Sequence, residues 1–149
     1  MKEAIVVDSA CLIGLERIGQ LALLPALYGP LLIPPEVARE IGFAFPWLNV
    51  ETPVNTAFVT TLKLLVDDGE AEAIALASER ASRIILDDKQ ARALAQKLGL
   101  NIIGTVGVLV RAKLEGVMPA LRPLLDALDA NSFRVSKALR DEALRLAGE

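Results

Sequence analysis

Histidine is absent from the 149 residues, and cysteine occurs once. Without imidazole, Ser-His-Asp triads, histidine general bases and the usual histidine-containing zinc sites are excluded. Carboxylates must carry any acid–base or metal chemistry. The single thiol, Cys11, has no partner for an internal disulfide. Its neighbours Ala10, Leu12 and Ile13 mark it as a small buried hydrophobe of a reducing compartment, so the cytoplasm is the expected location.

A long uninterrupted apolar run is also missing, although mean hydropathy is high at +0.44. The longest uncharged stretch, Ile18 to Pro35, contains Pro25, Pro30, Pro34, Pro35, Gly19 and Gly29. It cannot form the continuous helix of about 20 residues that a bilayer needs. No membrane span is expected. The N-terminal apolar run Ala4 to Val7 stops at Asp8, too early for the core of a signal peptide. The 53% hydrophobic content therefore fills a core or covers a surface for partners, and a symmetric homodimer is expected.

What is there reads as alternating strands and helices. Ala4–Val7, Leu31–Ile33, Arg83–Leu86 and Asn101–Ile103 are short apolar runs rich in β-branched residues, the pattern of strands buried on both faces. Helical spacing follows Ser9, a candidate N-cap, and continues from Gln20 to Tyr28, where Gly29-Pro30 would stop it. Pro34-Pro35 opens another helix carrying Glu36 and Glu40. An irregular stretch runs from Gly42 through Trp47 to Pro53. Further helices are expected at Val54–Val66, Glu70–Arg80, Lys89–Leu98 and Val106–Glu115. Two amphipathic helices at Ala120–Leu128 and Ser136–Ala147 complete residues 1–149, with the segment from about 119 packing on the rest. This order predicts one α/β domain with a mostly parallel central sheet of about four strands.

Parallel strands joined by right-handed crossovers put their C-terminal ends along one edge, the edge where open α/β sheets bind ligands. Asp8 and the pair Asp87-Asp88 directly follow two strands. Glu36 and Glu40 share one helical face, whereas Glu70 and Glu72 lie nearly opposite each other, which leaves Glu70 as the candidate to face this edge. Crowded carboxylates repel and raise one another's pKa unless a cation lies among them, and an all-oxygen donor set suits Mg²⁺ or Mn²⁺. Such ions support phosphodiester hydrolysis without histidine. Each acid also has a structural alternative: Asp8 with Ser9, Asp67 with Glu70, and Asp87 or Asp88 all stand where helix caps stand. Gly104-Thr105-Val106-Gly107 could cradle a phosphate or simply make a tight turn. Charge is uneven. Residues 1–72 carry four basic and ten acidic side chains, a net of −6, and residues 73–149 carry twelve and nine, a net of +3. Arg80, Arg83, Lys89, Arg92 and Lys97 are candidates for a phosphate path or for ordinary solvated helix faces.

Several segments together resemble the PIN-domain family of metal-dependent ribonucleases, in particular a VapC-like prokaryotic toxin subgroup. They are Ile5-Val6-Val7-Asp8-Ser9-Ala10, Ile33-Pro34-Pro35-Glu36-Val37-Ala38-Arg39-Glu40-Ile41, Gly69-Glu70-Ala71-Glu72-Ala73, Leu86-Asp87-Asp88-Lys89-Gln90-Ala91-Arg92 and Gly104-Thr105-Val106-Gly107. The resemblance implies a three-layer α/β/α PIN-like domain and an Mg²⁺- or Mn²⁺-dependent endoribonuclease, the toxin of a toxin–antitoxin pair. Its acids would be Asp8, Glu40, Glu70 and Asp88, with Asp87 an alternative metal ligand one position away. Two features depart from the pattern: Glu stands at position 70 where Asp is commoner, and the net charge is −3 where an RNA-binding surface would be basic. RNA, a second copy of the chain and a small antitoxin protein are the implied partners. The alternatives are a non-catalytic PIN-like binding module and, less well matched, a phosphoacceptor receiver domain, which would pair acids after its first strand.

Overall fold

Strand β1 (Glu3–Val7) carries no charge from Ala4 to Val7 because both of its faces are covered. In the computed structural model, which describes residues 2–149, it is the central strand of a five-stranded sheet. The spatial order is β3-β2-β1-β4-β5, formed by β2 (Tyr28–Ile33), β3 (Leu48–Val50), β4 (Arg83–Ile85) and β5 (Ile102–Ile103). Every pairing is parallel, with Val6 opposite Leu32 on one side and Ile84 on the other. The sheet is wholly rather than mostly parallel.

Alternation along the strands divides the core into two layers. Ile5, Val7, Leu31, Ile33 and Ile85 face one cluster, against α1 (Ser9–Arg17), α2 (Leu23–Leu27) and α7 (Thr105–Leu114). The C-terminal helices α8 (Arg122–Ala130) and α9 (Lys137–Leu146) add Leu125, Leu128, Ala143 and Leu144 to that side. Val6, Leu32, Ile84 and Leu86 face the other cluster, against α5 (Asp68–Arg80) and α6 (Lys89–Lys97). Alanines at 71, 73, 75 and 77 are fully buried in α5, so small side chains there permit close packing on the sheet. The outcome is the expected three-layer α/β/α architecture.

Two expectations need correction. The fifth strand, β3, lies in the stretch 42–53 that reads as irregular, because a three-residue edge strand with Asn49 and Val50 exposed shows no apolar run. Helix α2 covers only Leu23–Leu27, and Tyr28 already begins β2, so Gly29-Pro30 lies within a strand instead of ending a helix. Proline is tolerated there because the β1–β2 register shifts between the Glu3–Tyr28 and Ile5–Leu31 pairs, and pairing with β3 starts only at Leu31. Helix α3 (Pro35–Ile41) begins at the second of two prolines, as anticipated, and α4 (Thr56–Leu62) is shorter than its apolar pattern suggests. Among the described residues no helix is long and apolar enough to cross a membrane.

The two layers make a quantitative expectation. Ile74, fully buried between α5 and the sheet, should cost about 2–5 kcal/mol when replaced by alanine in urea denaturation. Leu64→Ala, at a side chain 82% exposed, should stay within about 0.5 kcal/mol of the parent. Similar losses for both would contradict this placement of the core.

Candidate functional site

The parallel arrangement sends the chain out of β1 and β4 on the same edge, and the acids follow. Asp8 is the residue after β1 and the N-cap of α1, but its side chain does not cap the helix. It is only 4% exposed, and its Oδ1 has no hydrogen-bond partner among the described residues. Burial pushes the carboxyl up to about 7, the Ser9 backbone N–H offsets this in part, and Asp67, Glu40 and Asp87 add like-charge repulsion. Ser9 is not the N-cap. Its hydroxyl instead donates across to Glu40 Oε2 at 3.1 Å, tying α1 to α3.

Glu40 reaches over the start of α5, where a Cβ on Gly69 would stand 2.0 Å from Glu40 Oε1. Glycine at 69 is therefore what admits this carboxylate. Burial also raises the pKa of Glu40, offset by the Ser9 hydroxyl and raised further by Asp67 and Glu36. Asp67 and Glu70 form a complete capping box: Asp67 Oδ1 accepts from the Glu70 N–H at 2.8 Å, and Glu70 Oε1 accepts from the Asp67 N–H at 3.3 Å. Glu70 is pushed up to about 7 by burial first, then by Asp67, with Asp8 and Asp88 contributing. Asp67 thus stands among the acids as an electrostatic neighbour of Asp8, Glu40 and Glu70. Sequence reasoning saw it only as a cap, and the Asp-x-x-Glu spacing that marks the cap was its one signal.

The pair after β4 divides its work. Both oxygens of Asp87 serve Thr105, Oδ1 accepting from its N–H at 2.8 Å and Oδ2 from its hydroxyl at 2.5 Å. Burial raises the pKa of Asp87, and these bonds together with Arg92 restrain the shift. Asp88 caps α6 through Oδ2, which accepts from the Ala91 N–H at 2.9 Å; its Oδ1 has no partner among the described residues. The Gly104–Gly107 turn is no open phosphate cradle, because the Asp87 carboxylate already occupies the N-terminus of α7. Glu72 accepts from the Glu36 N–H at 3.2 Å at the start of α3, while Glu36 pairs with Arg39. Cys11 is fully buried with its thiol pKa raised by that burial, which leaves it inert.

Of the proposed basic path, Arg80 and Arg83 belong elsewhere. They stand at the far end of α5 and the start of β4, paired with Glu51 at 2.5 Å and Glu3 at 3.6 Å. Lys97 ends α6, which has by then returned to the opposite edge. Lys89, exposed at the first residue of α6, and Arg92, anchored through Nη1 on the Leu86 carbonyl at 2.7 Å, remain. The acids are thus electrostatically coupled at one edge, yet among the described residues no three of them converge as a ready-made metal cage.

A family model described as a PIN domain, DUF3368, matches residues 4–149. The chain belongs to the PIN-domain family. PIN domains are generally nucleases and usually use divalent metal ions. No curated protein matches the chain. Within the PIN domain, the donors at the sheet edge suit such an ion: all are hard oxygens, and the buried Asp8 Oδ1 has no hydrogen-bond partner among the described residues.

Raised carboxyl pKa values make stability depend on pH. Between about pH 4, where unfolded Asp and Glu titrate, and pH 7, the native state holds protons on Asp8 and Glu70 that the unfolded chain has released. Their contribution to stability is therefore full below about pH 4 and is lost as pH rises toward 7. Carboxyls with lowered values, such as Glu149 at about 2, act only below this window. In metal-free buffer Tm should fall between pH 5 and 7.5, and Asp8→Asn should flatten the fall and raise Tm at pH 7.5. A profile unchanged by Asp8→Asn would show that Asp8 is not the strained group.

Proposed function

We propose that this PIN domain is a Mg²⁺- or Mn²⁺-dependent endoribonuclease and the toxin of a toxin–antitoxin pair, acting in the cytoplasm as a homodimer restrained by a small antitoxin protein. The observation that carries the reading is Asp8: a buried carboxylate at a helix N-cap that does not cap, with one oxygen unpartnered and other carboxylates around it. Such a group is costly in the free protein and is relieved by a cation. In this reading Asp8, Glu40, Glu70 and Asp88 hold the ion. Asp88 is preferred to Asp87 because it has an oxygen free, whereas Thr105 takes both of Asp87's.

When bound, the ion supplies Lewis-acid stabilisation of the charge that develops on the phosphodiester and a lowered pKa for an attacking water. The protein's own residues do the positioning. Ser9 orients Glu40 through its hydroxyl, the capping box fixes Glu70 at the start of α5, and the Asp87–Thr105 clamp joins β4 to α7 beneath the site. A second reading, a non-catalytic binding module, draws on the capping bonds of Asp67, Glu70 and Asp88, which give those acids structural work of their own.

Cleavage of single-stranded RNA by nuclease-free preparations decides between them. Parent protein should cleave with Mg²⁺ or Mn²⁺ and not with chelator. Asp8→Asn and Asp88→Asn should each lose about a hundredfold or more, and Glu36→Gln should retain full activity. Loss with Asp87→Asn but not Asp88→Asn would move the fourth ligand by one residue. Equal activity in the parent and Asp8→Asn would remove the catalytic assignment.

A further inference from the structure

A cavity of about 780 Å³ opens beside the acids, and Asp87 and Asp88 form part of its wall. The volume lies within the range of roughly 300–1,000 Å³ typical of ligand pockets. Its remaining lining combines apolar surface from Ile103 and Val106 with the ring of Phe133 and the guanidinium groups of Arg92 and Arg134. We infer that this cavity seats the nucleotide adjacent to the phosphodiester that is cleaved, its base against Phe133 and its phosphate on Arg134 and Arg92. The assignment rests on the nuclease reading for what the neighbouring acids do, but its residues are separate from them.

Three features support an occupant of this chemistry. Phe133 is only half-buried and is pinned along one edge, since a Cβ on Gly14 would stand 2.9 Å from its Cδ2. A half-buried aromatic ring that packs on Gly14 at one edge and lines the cavity can serve as a stacking platform, which any base can use. Ser132, also in the cavity wall, has φ of 68°, the left-handed conformation that commonly ends a helix, here α8. Phe133 N–H then bonds to the Leu128 carbonyl at 2.9 Å, which fixes the turn at the end of α8.

The charges point the same way. Arg39, Arg80, Arg111, Arg140 and Arg145 each lie against a carboxylate, whereas Arg134 is exposed and makes no ion pair among the described residues. Arg92 gives one N–H to Leu86 and keeps its other donors at the cavity wall. Guanidinium groups facing a carboxylate-lined lip match a strand whose phosphates alternate between cation-binding and arginine-binding positions. A continuous single strand, which presents a base and a phosphate at each step, fits this wall better than a duplex whose bases are stacked inward.

Binding of a short single-stranded RNA containing 2-aminopurine, measured in chelator on the parent background, tests the assignment without turnover. Arg134→Gln should weaken binding roughly tenfold and reduce the slope of log affinity against log salt by about 0.7, the loss of one phosphate contact. Phe133→Leu keeps the packing on Gly14 and should weaken binding about tenfold with loss of 2-aminopurine quenching. Arg122→Gln, outside the cavity, should change neither. Hydrolysis of bis(4-nitrophenyl) phosphate with Mn²⁺ reports on the acids separately, in variants that keep Asp8. Unaltered RNA binding and quenching in both cavity variants would overturn the assignment while leaving a nuclease that hydrolyses the ester intact. The expected binding losses, with cleavage indifferent to Asp8→Asn, would keep the cavity and remove the nuclease reading. Absence of RNA binding, or binding of AMP as tight as that of the strand, would overturn the assignment.

Discussion

Burial of carboxylates at the C-terminal edge of the sheet, with like-charge repulsion added, is the constraint around which the site is built. Asp8 is carried there by the central strand, directly after the fully buried Ile5, Val6 and Val7, and its own side chain is only 4% exposed. The surrounding acids are held by bonds that do not depend on Asp8. Ser9 holds Glu40, the capping box holds Asp67 and Glu70, and Thr105 holds Asp87. Folding therefore assembles the repulsion instead of dispersing it. Helix N-termini at α1, α5, α6 and α7 offset part of the cost with their positive ends. Asp8, the N-cap of α1, makes no capping bond in return.

Capping and function do not exclude each other in this arrangement. A cap fixes a carboxylate with one of its oxygens, and for Asp88 the other remains outward. Asp87 shows the opposite case, with both oxygens turned to Thr105, which makes it a clamp between β4 and α7. Adjacent acids thus divide into one that maintains the edge and one that is available at it.

Four of the five strands were legible in the sequence because strands buried on both faces leave unbroken apolar runs: Ala4–Val7 and Ile84–Leu86 could be read directly. The sequence concealed β3 and the true limits of α2, where edge exposure and Gly29-Pro30 remove the periodic signal. At the site, the acids that follow strands were legible from the topology of parallel sheets. The roles of Ser9 and Asp67 were not, since a serine and an aspartate at helix starts look like caps and only the fold shows that Ser9 bonds across to Glu40. Arg80 and Arg83 were misplaced for a similar reason: clustering in sequence does not reveal which edge of the sheet a helix end reaches. Arg134 and Phe133 carry no motif at all and become conspicuous only as walls of a cavity.

The central claim is that the acids around Asp8 form one cation site, and calorimetric titration with Mn²⁺ tests it most directly, because it needs neither substrate nor turnover. The account predicts saturable binding to the parent protein at pH 7.5, its loss in Asp8→Asn, and parent-like binding in Glu36→Gln. Binding of equal strength in the parent and Asp8→Asn would contradict it, and so would the absence of binding in the parent.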